Sequence, residues 1–573
     1  MAGVAGWVAA ARSAADESSL GPMLGALERR GIGALVGYVE RDRKRQAVLG
    51  ASLVDQSARI ALVLDGSLAN REELLARLAK HGFQFKENSA EEVLLRAYQY
   101  WDKEVVKQLR GAFAFALWDA RKDRLLLARD RFGEKPLYLH EKDGALYFAS
   151  EAKSLLETPD FAVKTDLSSL RDCLVHRYVP GSRTLFAGIR KLAPGSYGVW
   201  QHGKLHEARY WVAPDRAPYV RNRNRAPLEG FLGALEAAVS LHGADGILLS
   251  GGLDSAVLLA LAAAKGGKPS TFSLGFEGDR ASELPAAAQA ARHFGASHHE
   301  IVATPQELVA HLEYLVAARD APVSRPSELA LCRLAAEAGG RARRVLTGDG
   351  CDEVLGGYRR HVAEVVCGGV DAFPARLLAP LVASGRFDTA AGPLRLNGHG
   401  AALFLQKAAA CEKDAEVDPQ TSALRRALYT DQTTWLPDQL ERIDRAAAGI
   451  DARLPYLDHR LAEYVSALPD EQRVRGLTTK WILRQAARRL LPPGLAQRAK
   501  RGWRLDVAGW LRNDLRGYLL EHLQGRSSVT RQYYDAAALD RVLDEHLKGK
   551  NNHETLLWTL LNIEIWHRTY RPG

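Results

Sequence analysis

The clearest hydrophobic pattern in the first part of the chain lies in the stretch from Arg110 to Trp118. Phe113, Phe115 and Leu117 alternate with alanines, so large side chains share one face and small side chains share the other. This alternation predicts a strand that is packed on both faces. Further elements are predicted at strands 124–128 and 145–149 and at helices 72–80 and 90–101, the helices covering the sheets.

The pattern changes after about residue 228 to short apolar strands that alternate with helices rich in alanine and leucine. Such alternation is typical of a parallel sheet with helices on both faces. The predicted order is strand 246–249, helix 255–265, strand 271–276, helix 284–294 and strand 344–347. After about residue 420 the chain is expected to be predominantly helical.

The stretch 213–227 is polar, is interrupted by prolines and lacks both helical and strand periodicity. We therefore predict a linker there, between a domain of residues 1–212 and a domain of residues 228–573. The length of 573 residues favours this division, because one hydrophobic core rarely organises so long a chain. The predicted fold class is α/β.

Composition indicates the cellular compartment and the classes of partner that we expect. The sequence has no basic leader followed by a long apolar run, and its five cysteines lack paired spacing, so we expect a soluble protein of the reducing cytoplasm with no membrane partner. The net charge of +10 is concentrated between Arg473 and Arg504, where ten basic residues occur without an acidic one. Only Trp481 and Trp503 interrupt this stretch with aromatic rings, so we expect no nucleic-acid partner. The stretch is either a solvated face or a site for the phosphates of a nucleotide.

The most informative residues are Ser250, Gly251, Gly252, Asp254 and Ser255, which lie directly between a predicted strand and the next predicted helix. Glycines let the backbone approach a ligand closely, and the amides at a helix start bind anions, so pyrophosphate suits this loop. An aspartate beside phosphate implies a divalent cation between them, and Mg²⁺ fits. A plain Gly-Gly turn is the alternative, but turning the chain requires neither the serines nor the aspartate. The Lys-Ser/Thr ending of a Walker loop is absent.

A second loop, residues 345–353, also follows an apolar strand and carries Asp349, Asp352 and Glu353 among glycines. Loops after parallel strands share one edge of a sheet, so both loops can serve one crevice. Asp254 and Asp352 are predicted to hold one Mg²⁺ ion from two sides. Asp349 is predicted to act as a base or to orient the substrate. Acidic glycine-rich loops are often simple turns, so this interpretation depends on the first loop.

Together, the two loops resemble the ATP pyrophosphatase domain of the asparagine synthetase family. Further stretches match the family over nearly the whole chain, at residues 129–138, 150–153, 451–459 and 478–484. The resemblance implies an N-terminal Ntn-type αββα sandwich, followed by a parallel-sheet ATP pyrophosphatase domain with a helical C-terminal part. It also implies an enzyme in which a side-chain carboxylate attacks the α-phosphorus of ATP. The resulting acyl-AMP is then captured by an amine, and AMP and pyrophosphate are the by-products.

The resemblance also assigns roles to particular residues. Leu249, Leu274, Thr347 and Gly348 are expected to line the adenosine. Lys480 falls where the family has a lysine that neutralises charge on phosphate and acyl oxygens, which gives the basic stretch a purpose.

The N-terminal part departs from the glutamine-dependent members of the family. Those members use an N-terminal cysteine as nucleophile, exposed by removal of methionine, whereas residue 2 is alanine here. Ala51 replaces a glutamine-binding arginine, Asp65 an asparagine, and Ala90 an aspartate. Four losses exceed a single engineered change, so we predict a glutaminase-like domain without glutaminase chemistry.

Without a glutaminase, the amine is expected to be free ammonia or an amine of the substrate. Relatives of the second kind include β-lactam synthetases and lasso peptide cyclases. The β-lactam enzymes tend to have tyrosine at the position of Asp349, and Ala321 replaces a common glutamate next to Pro322, so we favour a peptide macrolactam synthetase of the lasso type. It would act on a peptide Asp or Glu, with a precursor peptide or a protease as partner. The alternatives are an asparagine synthetase-like enzyme using free aspartate and ammonia, and a non-catalytic scaffold subunit.

Overall fold

The computed structural model describes residues 3–9, 20–27, 36–42, 45–51, 53–55, 57–218, 226–279, 282–367, 417–497, 505–524, 528–533 and 536–572. Within these residues the N-terminal part contains two antiparallel sheets of six strands each, in the orders β10-β8-β9-β1-β3-β2 and β12-β11-β7-β6-β5-β4. The strands are β1 Ala5–Ala9, β2 Val36–Asp42, β3 Arg45–Ala51, β4 Leu53–Asp55, β5 Ile60–Gly66, β6 Phe113–Asp119, β7 Arg124–Arg129, β8 Tyr138–Lys142, β9 Ala145–Ala149, β10 Arg190–Lys191, β11 Ser196–Gln201 and β12 Lys204–Arg209. The helices are α1 Leu20–Gly25, α2 Arg71–Lys80, α3 Ala90–Trp101, α4 Ala152–Leu156 and α5 Leu167–His176.

The strand predicted around Phe113 is β6, and its two faces pack against different layers. Phe113, Phe115 and Leu117 belong to the core that α2 and α3 cover. Ala114 and Ala116 belong to the core between the two sheets, where small side chains let the sheets approach. The order helix, sheet, sheet, helix is therefore the predicted αββα sandwich.

The C-terminal part is built on a five-stranded parallel sheet in the order β15-β14-β13-β16-β17. Its strands are β13 Gly246–Leu248, β14 Ser270–Phe276, β15 Ser297–Ala303, β16 Arg344–Leu346 and β17 Asp451–Arg453. The helices before residue 368 are α6 Pro227–His242, α7 Leu253–Ala264, α8 Leu284–His293, α9 Pro305–Val309, α10 Leu312–Arg319, α11 Ser327–Gly339, α12 Cys351–Leu355 and α13 Arg359–Cys367. The later helices are α14 Ala423–Thr430, α15 Leu436–Ala446, α16 His459–Ser466, α17 Trp481–Leu490, α18 Pro493–Ala496, α19 Val507–Arg512, α20 Arg516–Leu523, α21 Ala536–Leu547 and α22 Glu554–Tyr570.

The chain leaves the central strand β13 toward β14 and β15 on one side and adds β16 and β17 on the other. A crevice forms at the carboxyl edge of a sheet where the strand order reverses in this way, so the loops after β13 and β16 share it. Strand β17 is an exception to the helical expectation after residue 420. This strand has only three residues, too few for a periodic pattern to predict it from the sequence. Its pairing with β16 identifies it as a strand. In the predicted linker, Pro214–Arg216 forms a 3₁₀ turn and Pro227 begins α6.

Helix α15 joins the two parts of the chain through buried ion pairs. Glu441 accepts from Arg129 of β7 at 3.0 Å and from Lys191 of β10 at 3.1 Å. Asp444 accepts from Lys135 at 2.5 Å, and Arg445 pairs with Glu151. Charges buried at an interface require such partners, so the pairs fix the position of α15 against the sandwich.

Within the described residues, no helix combines the length and the apolar character needed to cross a membrane.

Candidate active site

A cavity of about 410 Å³ lies at the carboxyl edge of the parallel sheet, between the loops that follow β13 and β16. It brings together nearly every residue that the sequence singles out, namely Leu249, Ser250, Gly252, Asp254, Ser255, Leu274, Thr347, Gly348, Asp349, Asp352 and Lys480. Gly251 lies behind this wall. Its φ is +77° and a Cβ atom would come within 2.7 Å of the Glu283 carbonyl oxygen, so glycine is required there for the backbone path rather than for lining the cavity.

The loop from Ser250 to Ser255 is braced by its own serines. The backbone amide of Ser250 donates to Ser255 Oγ at 3.1 Å, and the two hydroxyl oxygens are also 3.1 Å apart. Helix α7 begins at Leu253 with Gly252 as its N-cap, and no side chain caps its first amides. The start of α7 therefore presents backbone donors to the cavity, as an anion site requires.

Lys480 stands between the two carboxylates that the sequence assigns to a metal. Its Nζ atom lies 2.7 Å from Asp254 Oδ2 and 2.7 Å from Asp352 Oδ1, and its side chain is buried. Burial alone would lower the pKa of this amine, but the charges of Asp254 and Asp352 outweigh burial and raise the pKa of Lys480 well above its usual value. Lys480 is therefore a permanent cation at the centre of the site.

Two further residues position Asp254. Cys351 Sγ donates to Asp254 Oδ1 at 3.4 Å, and the hydroxyl of Tyr456 donates to the Asp254 carbonyl oxygen at 3.0 Å. Tyr456 follows β17 directly, so the short fifth strand carries this hydroxyl to the first loop. Tyr456, within the stretch 451–459 that matches the family in sequence, thus contacts the site.

Asp349 also lines the cavity, and its hydrogen bonds are made to residues outside this cluster. It hydrogen-bonds to the Thr347 hydroxyl, and Gln439 Nε2 donates to Asp349 Oδ1 at 3.1 Å. The structure therefore links the second loop to helix α15 through Gln439. A substrate group that reaches Asp349 also meets the residues of α15.

Glu353 and Tyr358 extend the acidic loop into the interior. Burial, followed by the neighbouring Asp352 charge, raises the pKa of Glu353 to about 7, and the Tyr358 hydroxyl donates to this carboxylate. Trp435 Nε1 in turn donates to the Tyr358 oxygen at 3.3 Å. This chain of contacts ties the loop to the end of a π-helical turn, Asp431–Trp435, that precedes α15.

The sequence predictions missed the wall that comes from α15 and from the residues just before α11, α13 and α15. Trp435, Gln439 and Arg442 line the cavity, and so do Arg325 and Tyr358. The spacing of the first three, at i, i+4 and i+7, is one face of a helix and was the available signal. That signal is weak alone, because polar residues at helical spacing usually face solvent.

The residues present fit a magnesium ion. Mg²⁺ commonly takes one or two protein carboxylates and completes its coordination with water and substrate phosphates. Asp254 and Asp352 both contact one ammonium nitrogen, so they face a common position for a cation. In the part of the chain that the structure describes, no group of three or more His, Cys, Asp or Glu side chains is arranged to hold a metal. Water and substrate phosphates would therefore have to supply the remaining ligands.

The structure describes to different extents the four positions at which the N-terminal part departs from the glutamine-dependent enzymes. Asp65 at the end of β5 is fully buried and accepts from Ser150 Oγ at 2.8 Å, and Ser150 Oγ also accepts from the Val4 amide. Ala90 is the first residue of α3. Ala51 ends β3, with only its backbone described, and Ala2 lies outside the described residues.

Comparison with known proteins agrees with this geometry. The family described as asparagine synthase matches residues 231–568, which include every lining residue named above, and the family described as glutamine amidotransferase domain matches residues 1–211. The chain belongs to the asparagine synthase family. Members of this family are ATP-dependent, AMP-forming carbon–nitrogen ligases, and the chain is an enzyme of this class.

The sequence is similar to individual relatives along most of the length of the chain. It is 32% identical to a putative glutamine-hydrolysing asparagine synthetase of Mycobacterium tuberculosis, over 89% of this chain and 85% of that one. It is 28% identical to glutamine-hydrolysing asparagine synthetase 1 of Bacillus subtilis, over 88% of this chain and 85% of that one. Among solved structures, a glutamine phosphoribosylpyrophosphate amidotransferase from B. subtilis aligns with a TM-score of 0.26 and 17% identity, over 52% of this chain and 65% of that one.

Proposed function

We propose that this protein uses ATP and Mg²⁺ to adenylate a side-chain carboxylate and then joins the acyl group to an amine. In this proposal the amine does not come from glutamine hydrolysis by this chain. The observation that carries the proposal is the convergence of Asp254 and Asp352 on Lys480 beside the start of α7. A cluster of this kind is useful to an enzyme that handles pyrophosphate, and a scaffold subunit would have no need of it.

In this proposal, different walls of the cavity bind different parts of the substrates. The amides and hydroxyls of the loop Ser250–Ser255 hold the pyrophosphate end of ATP, and the adenosine lies against Leu249, Leu274, Thr347 and Gly348. Asp254 and Asp352 would hold Mg²⁺, which would neutralise phosphate charge. Lys480 stabilises the negative charge that develops as a substrate carboxylate oxygen bonds to the α-phosphorus and pyrophosphate leaves.

Asp349 is proposed to orient the acyl substrate for the second step. The amine attacks the acyl carbon, the bond to AMP breaks, and the amine loses a proton. A carboxylate held by Thr347 and Gln439 has a fixed direction, so it can receive that proton or bind the ammonium form of the substrate.

The identity and burial of Asp65 support an amine that does not come from glutamine hydrolysis in this chain. The resemblance implies an asparagine at this position in enzymes that hydrolyse glutamine, where it is one of the residues that bind glutamine. The buried side chain of Asp65 lacks the N–H donors of an amide and accepts from Ser150 instead. With alanine at positions 2, 51 and 90, the glutaminase half is proposed to act as a structural partner.

Two acyl substrates follow from this proposal. The first is a peptide Asp or Glu that an amine of the same peptide captures, as in lasso peptide cyclases, with a precursor peptide or protease as partner. Ala321 supports it, because the resemblance implies a glutamate at this position, and a small side chain there changes the wall of a second cavity of about 40 Å³ that Ala321 lines. The second is free aspartate with ammonia, which the names of the relatives support.

The test is release of AMP and pyrophosphate by the purified protein with ATP and Mg²⁺. Three mixtures are compared: aspartate with ammonia, aspartate with glutamine, and linear peptides that contain an internal Asp or Glu. Turnover with a peptide and loss of one water mass supports a macrolactam synthetase, whereas turnover with aspartate and ammonia supports the second substrate. Glutamine-driven turnover equal to that with ammonia contradicts the loss of glutaminase chemistry, and no AMP from any mixture contradicts the whole proposal.

A further inference from the structure

Asp215 is a buried carboxylate in the segment that joins the two parts of the chain. It lies in the 3₁₀ turn Pro214–Arg216, and only 1% of its surface is exposed. Its Oδ1 atom accepts from Arg473 at 2.7 Å and from Ser466 Oγ at 3.0 Å, and its Oδ2 atom accepts from Gln432 Nε2 at 3.1 Å. A segment that only connected two domains would keep its charge in water, because a buried charge costs free energy unless it is paired.

The contact with Arg473 leads to the backbone beside Lys480. The carbonyl oxygen of Arg473 accepts from the Trp481 amide at 2.8 Å, which closes the loop 473–481 around Lys480. Lys480 has a φ of +52°, in the left-handed region that residues other than glycine rarely adopt. Such a conformation persists only where the surrounding contacts hold it, so the closure of this loop helps to fix the direction of the lysine.

Asp215 is the buried counter-charge that anchors this loop. The Arg473 side chain is fully buried, and its guanidinium contacts Asp215 at 2.7 Å and the partly exposed Asp470 at 3.1 Å. Burial alone would lower the pKa of Arg473, but the charge of Asp215, followed by that of Asp470, outweighs burial and raises this pKa. The position of Arg473 therefore depends on the carboxylate from the linker.

The contact with Gln432 leads to the second glycine loop. Gln432 lies in the π-helical turn Asp431–Trp435, and its Nε2 atom donates both to Asp215 and, at 3.0 Å, to the Glu353 carbonyl oxygen. A primary amide has two N–H donors, so one side chain can make both contacts. Glu353 directly follows Asp352 in α12. Asp215 is thus one side chain away from the backbone that carries Asp352.

These two routes of contact meet again inside the cavity. Lys480 Nζ lies 2.7 Å from Asp352 Oδ1. Asp215, Arg473 and Gln432 lie behind the cavity wall and are not part of its lining. The linker carboxylate therefore stands at the point from which both members of the active-site pair are held.

We propose that Asp215 is a positioning residue for adenylation. Acting through Arg473 and Gln432, it holds Lys480 and Asp352 at the separation that lets both act on the phosphates of ATP. This inference rests on the proposed function, because it takes those two residues as the groups that handle the polyphosphate. The linker then has a role in the reaction besides joining the two parts of the chain.

The first measurement is the affinity of the full chain for α,β-methylene ATP, a non-hydrolysable analogue, with Mg²⁺ in a calorimeter. Asp215→Asn removes the charge at nearly constant volume and is expected to weaken this affinity about 10-fold, since misplacement of roughly 1 Å between reacting groups has effects of this size or larger. The kcat for AMP formation is measured with the mixture that the wild type turns over. It is expected to fall at least as far, without a matching rise in the KM of the acyl substrate.

Gln432→Met tests the route to the second loop by itself. It removes no charge, and it is expected to weaken analogue binding less than Asp215→Asn does. Residues that act through one network have effects that do not add. The double variant is therefore expected to bind the analogue about as well as Asp215→Asn. Gln432→Met also carries the test if urea unfolding shows that Asp215→Asn is not folded.

Glu564→Gln is the matched control for loss of a buried carboxylate. Glu564 is fully buried in α22, outside the cavity lining, and accepts from Ser528 Oγ at 2.9 Å, the Val529 amide at 3.0 Å and Arg568 Nε at 2.8 Å. This variant is expected to lower the midpoint of urea unfolding, as Asp215→Asn does, and to keep the analogue affinity and the kcat of the wild type. The comparison separates positioning of the site from a general loss of stability.

The inference is overturned if folded Asp215→Asn keeps the affinity and kcat of the wild type, or if Glu564→Gln loses as much of both. Losses that add in the double variant would remove Gln432 from the proposed route, and with it the link to Asp352. The proposed function is judged separately. AMP release by the wild type supports it whatever Asp215 does, and analogue binding tests Asp215 even if no mixture is turned over.

Discussion

The ammonium nitrogen of Lys480 lies 2.7 Å from Asp254 Oδ2, and this pair joins a helix start near residue 480 to the loop after β13. Lys480→Met is expected to lower the rate of AMP formation by about 100-fold or more, because a buried cation directed at developing charge contributes that much. Steady-state AMP release with saturating ATP measures it. Lys268→Met removes an exposed lysine outside the cavity and is expected to leave the rate unchanged. Equal rates for wild type and Lys480→Met would remove Lys480 from the chemistry.

Gly357 permits the close approach of Asp352 and Lys480. A Cβ atom at this position would lie 1.8 Å from Asp352 Oδ1 and 2.2 Å from Lys480 Cε, so one of the two side chains must move. Gly357→Ala is therefore expected to lower AMP formation by about 10-fold or more and to weaken Mg²⁺ dependence, since misplacement of roughly 1 Å has effects of this size.

Gly233→Ala is the matched control for this substitution. Gly233 lies within helix α6, and a Cβ atom there meets nothing within 4 Å. This variant is expected to keep full activity and to gain about 0.5–1 kcal/mol of stability, because alanine is the better helix former. If both alanine variants behave alike in AMP formation, the packing around Gly357 does not govern the site.

Arg445→Met is expected to destabilise the protein by about 3 kcal/mol. Arg445 is buried, pairs with Glu151 and donates to the Ser150 carbonyl oxygen at 2.5 Å, so its removal leaves a buried carboxylate with less compensation. The midpoint of urea unfolding measures the effect. Arg489, exposed and paired with exposed Glu229, provides the control Arg489→Met, which is expected to leave the midpoint in place. A midpoint unchanged in Arg445→Met would mean that the ion pairs along α15 do not hold the two parts together.

His546 makes stability depend on pH. Burial, followed by the charge of Arg512, lowers the pKa of His546 to about 4, and its Nδ1 accepts from the His553 amide at 3.1 Å. Because the unfolded chain binds this proton near pH 6.5 and the folded chain does not, stability is lost as the pH falls from 6.5 toward 4.

His546→Asn keeps an acceptor and removes the titration. Relative to this variant, the wild type is expected to lose about 2 kcal/mol between pH 7.5 and pH 4, which urea unfolding at the two values measures. An equal loss in both proteins would assign the pH dependence to other groups.

Much of the architecture is predictable because its signals are local. The alternation of Phe113, Phe115 and Leu117 with alanines predicts β6, and the structure confirms it. Helix 90–101 and strand 145–149 have the predicted bounds. The glycine loops predict their shared crevice because both follow parallel strands, whose carboxyl ends must lie together.

The rest depends on contacts between distant residues. Strand β17 has three residues, and only its pairing with β16 distinguishes it from a loop. Gln439 and Trp435 reach the cavity because ion pairs and a π-helical turn set the rotation of α15, and neither is encoded in helical periodicity. Arg325 is one of many arginines in the sequence, and only the tertiary structure shows that it lines the cavity and lies against Trp435.

Helix α15 faces both parts of the chain, with Gln439 and Arg442 toward the cavity and Glu441 and Asp444 toward the sandwich. A gene shortened to residues 228–573 would translate a helix whose acidic side had lost Arg129, Lys135 and Lys191. If the backbone of α15 then shifted, the side chains that line the cavity, Gln439 and Arg442, would shift with it. The N-terminal half therefore contributes to the shape of the cavity through its ion pairs with α15, independently of any reaction of its own.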